Sequence, residues 1–347
     1  MSSLSSNNNK PSSIISTNAP NTKNPTYQIL ELHYNNIRKL NIEKYALELD
    51  TYGYCIVPPE VHGVSMETIN KLKDLVLQKA SEVTGCKWTE EDGPLKAMQW
   101  PSGTDFLIQT SNTNKTRPKP ASTPIPYNNN KKKNSNDHNE PFQMLMQQMG
   151  RYHREFRDLA LNPVCLALIE HMIGPRASRF SSNNAVIKWK GAPSNYATER
   201  NLAMHADQGG VPLPWGTNAL NANSNWCLTD YTLDNGALAI VPGSHRRHQN
   251  PGANAASEAI PVECPAGSVI LFHGATWHGA YPRKKNGCRI MLANYFRNRS
   301  IQSQEDFQNS FPRSLAEDCS NPKLYKILCG YMDGMPYQTV RTAPSAL

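Results

Sequence analysis

The sequence predicts an α+β protein in which helices come first and a double-sheet core of antiparallel strands follows. Three observations carry this reading. Apolar residues recur at helical spacing in the N-terminal half, as in Met66–Thr84, where Ile69, Leu72, Leu75, Val76 and Ala80 share one side. After residue 180 the texture changes to eight short apolar runs separated by Gly, Pro and Asn, the rhythm of a sandwich or barrel. No strand–helix–strand alternation links the two halves, which argues against a parallel sheet.

Taken in order, residues 28–47 are periodic enough for a first helix, and TYGYCIVPP reads as a short strand stopped by two prolines. The helix Met66–Thr84 follows, and residues 95–110 suit one or two short strands. Pro141–Ile173 reads as two helical segments separated at Asn162-Pro163, where proline cannot donate to the helical ladder. The eight expected strands are AVIKWK, LAMHAD, NWCLTDYT, ALAIVP, AIPVEC, SVILFH, TWHGAY and RIMLANYF.

The chain of 347 residues is 38% hydrophobic and 18% charged, an ordinary composition for a globular protein. No run of eighteen apolar residues occurs, so no membrane span is expected. The net charge of +8 resides in two acid-free stretches, residues 1–27 with Lys10 and Lys23, and residues 111–136 with Lys115, Arg117, Lys119 and Lys131–Lys133. Both are rich in Asn, Ser, Thr and Pro and cannot bury enough apolar surface to fold. The expected organisation is a disordered tail over 1–27 and a single domain over 28–347, with a flexible basic insert at about 111–138. With the charge confined to these segments, no nucleic-acid partner is expected. Eight scattered cysteines without a CxxC pair argue for free thiols and a cytoplasmic location.

The chemistry concentrates at MHADQGG, residues 204–210. On an extended segment, residues two apart project to the same face, so His205 and Asp207 would stand together. An imidazole and a carboxylate make half of a metal site. About seventy residues on, SVILFHGATWHGAY supplies His273 and His278. Either can complete a two-histidine, one-carboxylate face that leaves positions open, the donor set of non-haem Fe(II).

The ordered series HxD at 205–207, NGALAIVPGSH at 235–245, HGAxxHGAY at 273–281 and an arginine eleven residues beyond the last histidine resembles the phytanoyl-CoA dioxygenase family, over roughly residues 180–297. The resemblance implies a double-stranded β-helix (jelly-roll) core at about 181–300, flanked by the helical part over 28–180 and a C-terminal helical extension over 301–347. It implies Fe(II) held by His205, Asp207 and His278, with His273 the competing third ligand. It implies 2-oxoglutarate as co-substrate, its distal carboxylate on Arg289 and its head near Asn225 and Asn184. A guanidinium fork suits a carboxylate in two-point fashion. The activity implied is that of a dioxygenase using O2, supported by ascorbate in vitro, which oxidises an unactivated C–H bond and releases succinate and CO2. Hydroxylation is the default outcome, with desaturation or oxidative cyclisation from the same ligand set. Asp207 speaks against halogenation, which needs a small residue there.

The substrate implied is a small molecule, natural-product, amino-acid-like or lipid-like. DNGALAIVPGSH reads as architecture, with a tight turn at Asn235-Gly236, and His245–His248 as a polar rim. Trp215 and Trp100 fit either a site mouth or core packing. The alternative function is a non-catalytic, cupin-like metal-binding or sensor protein, which would need the ligands but no carboxylate clamp.

Overall fold

The structure is a computed structural model that describes residues 24–95, 106–110, 141–190 and 202–331. The basic insert, Trp100 and most of the expected tail lie outside the described residues.

Two helices, α1 (Pro25–Lys39) and α2 (Glu43–Tyr52), occupy the stretch expected as one. The chain bends between them near Asn41, which adopts a left-handed φ of 54°, a conformation asparagine tolerates better than most residues. α1 starts inside the expected tail because the Asn24 side chain accepts a hydrogen bond from the Thr26 N–H and Pro25 suits the first turn. Next come β1 (Tyr54–Val57), α3 (Pro59–His62) and α4 (Met66–Thr84). α4 has its expected bounds. The Ser65 hydroxyl caps its start by accepting from the Thr68 N–H, and Gly85 closes it in the left-handed region.

A small hairpin, β2 (Trp88–Thr89) and β3 (Gly93–Pro94), precedes β4 (Phe106–Thr110) and β5 (Pro141–Met146). β5 corrects the reading of this stretch as helix. Phe142, Met144 and Met146 are buried while Gln143 and Leu145 between them are only partly so, a period of two. The helices follow as α5 (Met149–Tyr152), α6 (Arg154–Ala160) and α7 (Pro163–Ile173), with the expected break at Asn162-Pro163. Asn162 accepts from the Cys165 N–H and so caps α7.

The remaining strands are β6 (Ser178–Trp189), β7 (Asn221–Cys227), β8 (Leu238–Ile240), β9 (Ile260–Val262), β10 (Val269–His273), β11 (His278–Ala280) and β12 (Cys288–Asn298). Two starts differ from expectation. β6 and β7 begin earlier, so Asn184 and Asn225 lie within strands rather than at their heads. Their early residues are polar yet buried, which hides them from a search for apolar runs. LAMHAD is not a strand. Ala203 turns left-handed at φ 52°, His205 makes one isolated bridge, and Asp207 opens a 3₁₀ turn to Gly210.

The strands form a seven-stranded antiparallel sheet, in the order β1-β10-β7-β12-β6-β5-β4, and a three-stranded one, β11-β8-β9. One face of the large sheet, with Ile290, Leu292, Ile187, Ala222 and Trp226, joins Leu72, Val76, Phe156 and Leu168 of the helices in the main core. The opposite face sends Cys227, Ile270 and Phe272 against Leu238, Ile240 and Val262 of the small sheet. By pleat alternation Arg289, Met291, Ala293 and Tyr295 belong to this second face. The fold is thus mixed, with a helical layer on a large antiparallel sheet and a small antiparallel sheet on its other side. Short helices at Phe307–Ser310, Arg313–Glu317 and Pro322–Leu328 follow, and Phe307 and Tyr325 pack on Phe180. All eight cysteines are buried free thiols. Among the described residues, no helix is long and apolar enough to cross a membrane.

Candidate metal centre

Backbone pairing brings the HxD segment and β11 together. The His205 N–H donates to the His278 carbonyl at 2.8 Å and the His278 N–H donates back to the His205 carbonyl at 2.8 Å. The two rings lie 4.2 Å apart between centroids. Gly279 makes this approach possible, because a Cβ there would sit 2.1 Å from the Leu202 carbonyl oxygen. Gly274 serves the neighbouring turn in the same way, since a Cβ would overlap the Asn221 amide. Both glycines directly follow the candidate histidines, so the repeated His-Gly pair is the sequence signal of these close approaches.

The tautomers follow from the hydrogen bonds. Nδ1 of His205 lies 3.0 Å from the Ala203 carbonyl, and Nδ1 of His278 lies 3.0 Å from the Thr276 carbonyl. A carbonyl only accepts, so each Nδ1 carries a proton, and the neutral tautomer this selects has its lone pair on Nε2. These nitrogens stand 3.8 and 3.7 Å from Asp207 Oδ1, too far for hydrogen bonds. The three ligand atoms lie within 4.8 Å of one another. Burial holds the His278 pKa down at about 4, against the pull of Asp207, so the ring is a neutral donor at physiological pH. The His205 side chain is 56% exposed and that of His278 7%, so the cluster opens to solvent on the His205 side. Two imidazole nitrogens and one carboxylate oxygen with an open flank can hold ferrous iron.

Two asparagines not singled out from the sequence hold Asp207, one by its carboxylate and one by its backbone. Asn223 Nδ2 donates to Asp207 Oδ2 at 2.5 Å, and Asn221 Nδ2 donates to the Asp207 backbone carbonyl at 3.3 Å. The bond from Asn223 leaves Oδ1 turned toward the histidines, as a hydrogen-bonding partner behind a metal ligand would. Their signal was the spacing of Asn221, Asn223 and Asn225, which places all three on one face of β7. Tyr295 stands beside them, its phenol pushed up by burial and by Asp207. Asn225 does not reach Asp207. It lies in a row with Ala293 and Asn184 across β7, β12 and β6. Asn225 Oδ1 and Asn184 Oδ1 are buried and without hydrogen-bond partners among the described residues.

His273 is engaged elsewhere. Its Nδ1 accepts from the Ala275 N–H at 3.0 Å, and Nε2 donates to the Thr217 carbonyl at 3.3 Å. With both nitrogens on backbone, and with burial lowering its pKa to about 3, it braces the turn after β10 and is not in the cluster. The expected polar rim is bracing too. His245 and Arg246 donate to the Asp50 carbonyl, and Arg247 pairs with Glu258 over the Trp277 ring. Trp215 is buried against Ala206, Val241 and Trp277 and donates to the Val211 carbonyl, so it packs beneath the HxD turn. A polar cavity of about 230 Å³ beside Glu90, Asp230 and Arg283 shares no residue with the histidine cluster.

Arg289 is buried on β12, on the same sheet face as Tyr295. Its guanidinium lies over the Tyr231 ring at 4.8 Å, and Nη1 donates to the Gly236 carbonyl at 2.9 Å. Nε is buried with no hydrogen-bond partner among the described residues. The fork therefore retains donors that an anion would satisfy.

The chain is similar to several known proteins. The dioxygenase af480 of Aspergillus fumigatus is 30% identical over 179 residues, covering 50% of this chain and 54% of that protein. The dioxygenase aneA of Aspergillus aculeatus is 29% identical over 180 residues, 50% of this chain and 58% of that protein. The chain thus spans about half the length of the curated relatives it matches. Among solved structures, it is similar to HygX from Streptomyces hygroscopicus, with nickel, 2-oxoglutarate and hygromycin B bound, at 12% identity and a TM-score of 0.46 over 75% of this chain and 88% of that one. The model of the phytanoyl-CoA dioxygenase (PhyH) family matches residues 49–291, a span that contains His205, Asp207, His278 and Arg289, and the chain belongs to that family.

Proposed function

We propose that this protein is an Fe(II)- and 2-oxoglutarate-dependent dioxygenase that oxidises a small molecule. The observation that carries the reading is the convergence of two Nε2 lone pairs and Asp207 Oδ1, each fixed by a hydrogen bond on its far side. Family membership and relatives named as dioxygenases support it.

His205, Asp207 and His278 would hold the iron, which when bound supplies the activation of dioxygen for attack on a C–H bond. The chain's own part is placement. The Ala203 and Thr276 carbonyls fix the two tautomers, Asn223 aims the carboxylate, and the backbone bridge keeps the imidazoles side by side. Arg289 would receive the distal carboxylate of 2-oxoglutarate, its free Nε being the buried donor that needs a partner. Asn184 and Asn225, with their unpartnered amide oxygens, flank the small Ala293 and would line the same chamber. The two facing sheets fit a double-stranded β-helix, and we assign it to one oxygenase domain over 28–347 of an enzyme whose free thiols suit the cytoplasm. Hydroxylation is the reaction we assign, with release of succinate and CO2.

The test is succinate formation from 2-oxoglutarate in the presence of Fe(II), O2 and ascorbate. The wild-type protein forms succinate and Asp207→Ala does not, while its thermal unfolding stays close to wild type. Arg289→Gln raises the KM for 2-oxoglutarate. A protein that binds Fe(II) but never forms succinate, even across a panel of small-molecule substrates, would instead be a binding or sensor jelly roll.

A further inference from the structure

Next to Arg289 on the neighbouring strand stands Lys188. The register of β6 and β12 sets the two residues directly opposite each other, a position in which side chains on one sheet face are within reach. The alternation along β6 agrees: Ala185, Ile187 and Trp189 belong to the helix-facing core, so Lys188 points to the same face as Arg289. Lys188 is 3% exposed and Arg289 also 3%. The Lys188 ammonium donates to the Tyr281 carbonyl at 2.6 Å, which leaves two of its three donors free. No carboxylate pairs with either cation among the described residues.

This is an unusual way to bury charge. Buried cations are normally paired with acids. Here burial, Arg289 and then Arg283 all push the lysine well below its usual range. Two buried cations with free donors on one face are a cradle built for an anion that the chain does not itself provide. The backbone of Tyr281, three residues beyond His278, holds the ammonium and ties the cradle to the strand of the metal ligand.

We propose that Lys188 acts with Arg289 as a two-cation receptor for the distal carboxylate of the keto acid, and so selects a dicarboxylate over a monocarboxylate co-substrate. The inference rests on the assignment of 2-oxoglutarate to this site. Arg289 supplies the planar fork, and Lys188 supplies a second charge and donors from the adjacent strand. The other end of the keto acid, toward the metal, makes no use of Lys188.

The test is anaerobic calorimetry on the full Fe(II)-loaded chain with two ligands, 2-oxoglutarate and 2-oxobutanoate, which share the keto-acid head but not the distal carboxylate. Lys188→Gln keeps a donor for the Tyr281 carbonyl and removes only the charge, so the fold is retained. Lys188→Gln should weaken 2-oxoglutarate about tenfold to hundredfold, the range of one charge-assisted hydrogen bond, and leave 2-oxobutanoate unchanged. Lys188→Arg should recover most of the loss. Equal weakening of both acids, or wild-type affinity for 2-oxoglutarate in Lys188→Gln, overturns the role of Lys188 while leaving the oxygenase reading intact. Failure of the wild-type chain to bind 2-oxoglutarate at all overturns both.

Discussion

Replacing Asn223 with Ala tests how the metal site is held. Asn223 Nδ2 donates to Asp207 Oδ2 at 2.5 Å and is the side-chain partner of that carboxylate on its far side. A hydrogen bond to a charged group contributes about 1.5–3 kcal/mol. The Asp207 side chain is 19% exposed, so water can reach it and replace part of the bond. That places the expected loss in the lower half of the range, about 1.5–2 kcal/mol, or about ten- to thirtyfold weaker metal binding. The assay is anaerobic titration of the keto-acid-free chain with Fe(II), or with Co(II) followed by absorption. Asn225→Ala is the control, because Asn225 shares the strand face but does not touch Asp207. Wild-type metal affinity in Asn223→Ala, or an equal loss in Asn225→Ala, would refute the idea that this hydrogen bond aims the ligand.

Other outcomes follow from the same geometry. Gly279→Ala forces a Cβ to 2.1 Å from the Leu202 carbonyl oxygen and should break the His205–His278 bridge, abolishing metal binding, whereas Gly210→Ala meets nothing within 4 Å and should leave titrations unchanged. Leu72→Ala on α4 empties a fully buried position in the main core and should cost about 2–5 kcal/mol in urea unfolding with metal affinity retained. Burial holds His273 at about 3 against its ordinary 6.5. Between those values the unfolded chain binds more protons than the folded one. Its contribution to stability is therefore intact above about pH 6.5 and falls as the pH is lowered toward 3, by up to about 1.4 kcal/mol per pH unit. Urea unfolding of wild type and His273→Gln near pH 7 and near pH 5 should show a flatter dependence in the variant.

The sequence made some of this legible and hid the rest for identifiable reasons. α4 was readable because its apolar residues recur at one period and Ser65 and Gly85 mark its ends. β10 and β12 were readable because their runs are apolar on both faces, one toward the helices and one toward the small sheet. β5 was misread because three of its residues are methionine or phenylalanine, which suit either element, and only the burial of alternate residues separates the two. The start of β7 was missed because Asn221 and Asn223 are buried for the sake of Asp207 rather than for a hydrophobic core. The HxD pair is legible from its spacing because Ala206 between the two residues is extended, at φ −120° and ψ 137°, although the segment forms no full strand and Asp207 begins a 3₁₀ turn.

Local extension is one part of what fixes the geometry of the candidate ligands. The extended backbone at Ala206 lets His205 and Asp207 project together, but it does not by itself bring them to His278. Just before the pair, Ala203 turns the chain left-handed, offers its carbonyl to the His205 ring, and delivers His205 to a bridge with His278. Asp207 is then oriented from the large sheet by β7. Each ligand is held by a different part of the structure, the HxD turn, the large sheet and β11 of the small sheet, so the site can form only once the two sheets have closed on each other. The metal should accordingly bind the folded chain alone and raise its unfolding temperature with concentration, and in Gly279→Ala, where the HxD segment cannot reach β11, that rise should disappear while the helix-facing core survives.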